Sequence, residues 1–253
     1  MSIHRVVGKI LVLAVVIGAA TTSPSVARAA GNCNLDYGNW FAGWISGAAP
    51  AVEPEGATAT LTYRAAASCQ NGVHILPYTP AAYAGWVMVQ GLNQGLEYAQ
   101  AGFAFDGNSI GCIRHFAQFN FNYSGAPPTK WGSCVQDGEV HVPKVVYVTG
   151  TGGHVKMYID STLFLETTFC ICSWAQPFQA FFSGESLDLN TDVPGLVATP
   201  LDWNHMSVQY VNTNAWHDVC GNITLYSVKT PIANRWATGP IVCDHDVSWT
   251  ANP

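Results

Sequence analysis

Apolar and polar positions alternate along most of this chain, and the alternation predicts strands. Such runs occur at Ala57 to Tyr63, Gly85 to Val89, Glu97 to Phe105, His115 to Tyr123, Val140 to Thr149, His154 to Ile159, Leu163 to Phe169, Phe178 to Phe182, Met206 to Val211 and Ile223 to Val228. Gly, Pro, Asn and Ser separate most of them, and no long segment carries a sustained helical stripe. The pattern predicts an all-β chain folded as an antiparallel β-sandwich. Thr149-Gly150-Thr151-Gly152-Gly153, between two alternating runs, reads as a hairpin turn; it lacks the following helix and the Lys-Ser or Lys-Thr that a phosphate loop needs.

The first thirty positions break the alternation. Arg5 and Lys9 precede the apolar run Ile10 to Ala20, and the small-residue pattern Ala27-Arg28-Ala29 follows, the order of a secretory signal. The run is too short for a permanent membrane anchor. The expected organisation is a signal peptide over 1–29 and a single β-sandwich domain over 30–253, secreted, extracellular and not held in a membrane after cleavage. Monomer is the default for a small secreted sandwich.

Composition narrows the classes further. Hydrophobic residues make up 49% of the 253 and charged residues only 10%, which excludes a disordered or coiled-coil protein. Lys and Arg number 10 against 16 Asp and Glu, and three of the cations (Arg5, Lys9, Arg28) lie in the signal, leaving too few for the basic face of a nucleic-acid binder. All 8 cysteines lie in the mature part, an even number that in an exported chain predicts a disulfide-stapled fold with unspecified pairing. Cys170 and Cys172, alternate on a strand, are expected to bind separate partners. Zinc is disfavoured because no Cys-x-x-Cys pair or paired His spacing appears. Asp244-His245-Asp246 reads as a solvated polar tail, since consecutive side chains of an extended chain point to opposite sides.

Two segments carry candidate chemistry. In the strand Glu97 to Phe105, Ala99, Ala101, Phe103 and Phe105 share one face, while Tyr98, Gln100, Gly102 and Ala104 share the other. The second face is an amide among an aromatic and small residues. In the segment Phe178 to Glu185, parity turns Phe178, Ala180 and Phe182 inward and sets Gln179, Phe181, Ser183 and Glu185 on the opposite face. Glu185 is then a carboxyl at the end of an apolar strand, where desolvation favours its protonated form. Read as structure alone, Gln100 is a buried amide bonding a neighbouring loop and Glu185 a loop glutamate.

These segments together resemble the glutamic peptidases of the eqolisin type. That family carries a Trp-Val-Gly-Ile-Asp-Gly stretch, then Leu-Gln-Thr-Gly, then much later Ala-Glu-Trp-Ile-Val-Glu. Trp86-Val87-Met88-Val89-Gln90-Gly91 resembles the first, Ala99-Gln100-Ala101-Gly102 the second and Ala180-Phe181-Phe182-Ser183-Gly184-Glu185 the third. Asp137-Gly138-Glu139 through Phe169 resembles the family's turn and long hairpin. The chain departs from the pattern at Gln90, where the family has an acid, at Gln118, where His115-Phe116-Ala117-Gln118-Phe119 replaces a segment with a glutamate, and at Phe181, where the third motif has its first Glu.

The resemblance implies a concanavalin-like sandwich of two curved sheets and an acid endopeptidase acting on a protein or peptide substrate without a metal or other cofactor. Its catalytic residues are Glu185, which activates water and passes a proton to the leaving nitrogen, and Gln100, which positions the water and stabilises the oxyanion. Trp86, Tyr98, Gln90, Gln118 and Phe181 are the expected substrate-binding residues. Two other readings compete. A non-catalytic lectin-like sandwich would bind a glycan or peptide on Tyr98, Phe181, Phe119 and Trp86. A glycoside hydrolase needs a second acid near Glu185; Glu97 is the nearest by sequence, but parity sets it on the Phe103 side.

Overall fold

A computed structural model of the chain describes residues 40–46, 54–66, 68–70, 73–75, 82–91, 97–106, 112–121, 127–148, 154–167, 178–186, 194–195, 198–210, 214–219, 225–229, 236–239 and 246–250. The expected signal peptide, the glycine turn at 149–153 and the Cys170 and Cys172 pair lie outside them. Two antiparallel sheets make up the described fold. The first has 7 strands in the order β16 (Leu225–Lys229), β1 (Trp40–Ser46), β13 (Gln179–Ser186), β5 (Ala82–Gln90), β6 (Glu97–Asp106), β7 (Ile113–Phe121) and β8 (Thr129–Val135). The second runs β12 (Thr162–Glu166), β11 (His154–Ile159), β10 (Pro143–Val148), β2 (Pro54–Thr62), β14 (Leu201–Tyr210), β18 (Asp246–Thr250) and β17 (Trp236–Thr238), with β9 (Val140–His141) on β2 and β15 (Trp216–Asp218) on β14. A separate hairpin joins β3 (Ser68–Gln70) to β4 (Val73–Ile75).

The core between the sheets follows from the alternation. Ala57, Ala59 and Leu61 of β2, Val145 of β10 and Met157 of β11 meet Val87, Ala99, Ala101, Phe103, Ala180 and Phe182 from the first sheet. Trp44 packs edge-on against Trp203 at 5.3 Å, and Tyr63 lies 4.5 Å from Phe103. The first sheet is apolar on its other face too: Ala84, Trp86, Met88, Tyr98, Ala104, Phe116 and Phe181 form a second buried cluster with Ile45 and Trp131 against it. A strand buried on both sides loses the clean polar alternation of an edge strand, which is the pattern of β5 and β13.

Every run expected to be a strand has a counterpart, with shifted limits. The Val140 to Thr149 run is split at Val142, before Pro143, whose ring nitrogen cannot donate to a ladder. The run from Phe178 extends through Ser186, so Glu185 is the next-to-last residue of a strand, at its end as expected, and not a loop glutamate; Ser183 and Gly184 are poor strand formers, but β13 is held on both sides by β1 and β5. Asp246 corrects the expectation of a solvated tail: it is buried in β18, opposite Trp203. Of the expected disulfides, Cys112–Cys134 ties β7 to β8, closing a loop that in the chain-entropy picture stabilises the fold by about 3 kcal/mol.

Candidate active site

The ladders decide which side chains share the outer face of the first sheet. Along β5 the face carries Ala84, Trp86, Met88 and Gln90. Glu185 of β13 pairs with Ala84, Ser183 with Trp86, Phe181 with Met88 and Gln179 with Gln90. On the other side of β5, Gln100 pairs with Met88, Gly102 with Trp86 and Tyr98 with Gln90. Gln118 of β7 pairs with Gln100, and Thr129 of β8 with Gln118. Neither the β13–β5 nor the β5–β6 ladder slips register, so Gln100 and Glu185 project from one face with a single strand between them and Trp86 at the level between theirs. Gly102 makes this close pairing possible. A Cβ there would stand 2.1 Å from the Gly85 carbonyl oxygen, and no side chain fits between those backbones.

Two hydrogen-bonded groups hold Glu185 and Gln100 on this face. In the first, Trp86 Nε1–H donates to Glu185 Oε2 at 2.8 Å, while Glu185 Oε1 is buried without a partner. In the second, Gln118 Oε1 accepts from Tyr98 OH at 2.8 Å and from Gln100 Nε2 at 2.9 Å, while Gln118 Nε2 donates to Thr129 Oγ1 at 2.7 Å. Thr129 Oγ1 in turn donates to the Pro127 carbonyl at 3.1 Å. Gln100 Oε1, like Glu185 Oε1, is buried with no partner. The two groups feel each other, because the Glu185 charge adds to burial in raising the Tyr98 hydroxyl pKa.

Glu185 is 1% exposed and Gln100 0%. Burial pushes the Glu185 carboxyl from 4.5 up to about 8, against the smaller opposing effect of the Trp86 bond. Because an indole N–H only donates, Oε2 is the acceptor oxygen, and the proton of the neutral acid belongs on Oε1, the oxygen without a partner. This surrounding runs against acid operation, since below neutral pH the carboxyl is already protonated and accepts no proton from water.

The other expected residues fall into two sets. Tyr98 and Gln118 join the Gln100 group, Trp86 holds Glu185, and Phe181, level with Gln100 in the ladders, has its ring centre 6.5 Å from that of Trp86. Gln90 turns to Gln179, donating from Nε2 at 3.3 Å. Phe119, expected among glycan-binding aromatics, packs in the core between the sheets, on the opposite side of β7 from Gln118. Glu97 is buried, and the unbroken β6–β7 register keeps it on the side away from Gln100. Among the described residues no group of three His, Cys, Asp or Glu side chains is arranged to hold a metal. Sequence reasoning missed Thr129, which follows Pro127-Pro128 and reads as part of a turn; pairing β8 with β7 is the signal that finds it.

No family model matches the chain, and no curated protein matches it in sequence. Solved structures do. Scytalido-glutamic peptidase with a transition-state analogue inhibitor superposes at a TM-score of 0.55 and 13% identity, covering 84% of this chain and 98% of that one. With a peptide-based transition-state analogue the same peptidase gives 0.52 at 15% identity and the same coverage. SCP-B, a member of the eqolisin family of peptidases in complex with the tripeptide Ala-Ile-His, gives 0.51 at 13%, again covering 84% and 98%. The chain shares the eqolisin fold. At these identities the likeness is one of architecture, and the chemistry rests on the side chains above.

Proposed function

We propose that the chain is an exported hydrolase of the glutamic-peptidase kind, in which Glu185 and Gln100 act together on a water molecule and a peptide bond. The observation that carries this reading is that, among the described residues, Glu185 Oε1 and Gln100 Oε1 are two of the three partnerless buried oxygens, with Gln90 Oε1, on one face of one sheet. Buried polar atoms demand partners, and in this reading a water molecule is the partner that both oxygens act on. Ionised Glu185 takes a proton from this water at Oε1 as the water oxygen bonds to the scissile carbonyl carbon. The same proton passes to the amide nitrogen as the C–N bond breaks, leaving a free acid and a free amine. Gln100 holds the water at its carbonyl oxygen, and the N–H it does not give to Gln118 serves the oxyanion.

The acid optimum that the resemblance implies gives way to activity at higher pH. A base with a pKa of about 8 makes kcat/KM rise as pH climbs through that value. Both groups are sealed from solvent, so cleavage requires the outer face to admit an extended peptide.

The test incubates exported protein with a denatured protein substrate from about pH 4 to about pH 9 and compares Glu185→Gln and Gln100→Ala. Loss of cleavage by a factor of 100 or more is expected in the first, on the order of a lost general base, and a smaller loss in the second. Cleavage that survives in both folded variants rules the dyad out. Sequencing the amino terminus of the exported protein tests the expected cleavage near Ala29.

A further inference from the structure

The hydrogen bonds around Gln118 have a direction that nothing in the group is free to reverse. Pro127 offers only a carbonyl, so Thr129 must donate its hydroxyl proton there and accept at its oxygen. Gln118 must therefore turn its NH2 to Thr129 and its oxygen to Tyr98 and Gln100. Gln100 then has to present its NH2 to Gln118, and its carbonyl oxygen is the buried atom left without a partner. An isolated glutamine amide flips between two nearly isosteric arrangements; this one does not, because reversing it alone sets two acceptors or two donors against each other.

We propose that Thr129, Gln118 and Tyr98 form a relay of fixed polarity that holds the Gln100 amide with its NH2 on Gln118 and its carbonyl oxygen left open to accept, which makes them positioning residues for the reaction assigned above. The inference rests on that reading for its catalytic meaning but not for its geometry. No member of the relay is a carboxylate: two amides, two hydroxyls and a proline carbonyl carry it, and burial raises the Tyr98 hydroxyl above its ordinary range. The orientation of Gln100 is thus held by hydrogen-bond direction alone, in a chain where Gln118 stands at the place of an acid.

The test uses the whole folded protein and two readouts. Thr129→Val keeps the shape and removes the hydroxyl that sets the polarity, whereas Thr129→Ser restores it. The side-chain amide resonances of Gln100, identified by their disappearance in Gln100→Ala, are expected to shift in Thr129→Val and return in Thr129→Ser. In an active protein kcat falls about tenfold or more in Thr129→Val, the scale of a lost buried hydrogen bond, with KM within about twofold, and recovers in Thr129→Ser. If Thr129→Val does not fold, Tyr98→Phe replaces it: removing one donor to Gln118 Oε1 shifts the same resonances. Unchanged Gln100 resonances in the folded variant overturn the relay. A wild-type protein that cleaves nothing, yet shows the shift and its recovery, supports the relay and overturns the peptidase reading.

Discussion

The molecule treats carboxyl groups in two opposite ways. On the outer face of the first sheet Glu185 is buried with Trp86 as its hydrogen-bond partner, and burial raises its pKa to about 8. At the edge of the second sheet His141 stands between two acids, with Nδ1 2.6 Å from Asp160 Oδ2 and Nε2 3.1 Å from Glu139 Oε2. Each acid also accepts a backbone N–H, Glu139 from Gln136 and Asp160 from Val142. The Gln136 bond and His141 hold Glu139 below its ordinary range. Burial pushes Asp160 up, but His141 and the Val142 N–H outweigh it, and the net shift is downward. Donors aimed at the charged form, with water nearby, favour ionisation; enclosure with one indole donor disfavours it. The first arrangement ties the turn before β9 to the β11–β12 turn, where Asp160 and Ser161 take positive φ. The second favours the protonated carboxyl up to about pH 8.

The largest expected effect tests the enclosed side. A carboxyl raised in the folded state binds its proton more tightly there than in the unfolded chain, so its share of stability is complete below 4.5 and declines until about pH 8. Unfolding free energy should fall by several kcal/mol over that window in wild type, while Glu185→Gln should lose most of that slope; denaturant titrations at several pH values check it. Trp86→Phe comes next. It removes the N–H that stabilises the charged carboxyl and leaves Oε2 unpartnered, for a loss of about 1–3 kcal/mol and a still higher Glu185 pKa, read by thermal unfolding and by titration of the carboxyl.

Asp160→Asn sharpens the other side. Asn tolerates the positive φ, so the change isolates the charge. The expected loss is about 1 kcal/mol or less, given the half-exposed carboxylate. Depressed carboxyls contribute above their unfolded pKa and lose that contribution as pH falls through the folded one, the reverse of Glu185. The variant should therefore match wild type in acid and fall behind near neutral pH. Added salt should narrow that difference and leave the Glu185 slope nearly unchanged, because an exposed pair is screened and a buried group is not. Glu139→Gln should change stability least of all, within the error of a denaturant titration.

Much of this was legible where alternation was strong. The parity of Tyr98, Gln100 and Gly102 on β6, and of Phe181, Ser183 and Glu185 on β13, reads directly from the chain because the opposite positions are uniformly apolar. That the two faces are one face is not legible locally, since it depends on β5 lying between β6 and β13 in unbroken register. Among the strands with no prior signal, β1 belongs to the sheet through β13 and β16, far along the chain, whereas β8 mixes glycine and polar residues behind two prolines and pairs with its neighbour β7. Thr129 was hidden because those prolines make the start of β8 read as a turn. Asp246 was misread because two acids flanking a histidine near a terminus look solvated, whereas pairing with β14 and β17 buries the strand that carries it. Residues whose role is set by long-range pairing leave no periodic trace.

The most direct measurement is a titration of the Glu185 carboxyl followed by its carbon-13 shift in the folded protein, assigned by loss of the signal in Glu185→Gln. A midpoint near 8 is the predicted result. A midpoint at the ordinary value of 4.5 would mean that the outer face is open to water and that no proton is held there for transfer.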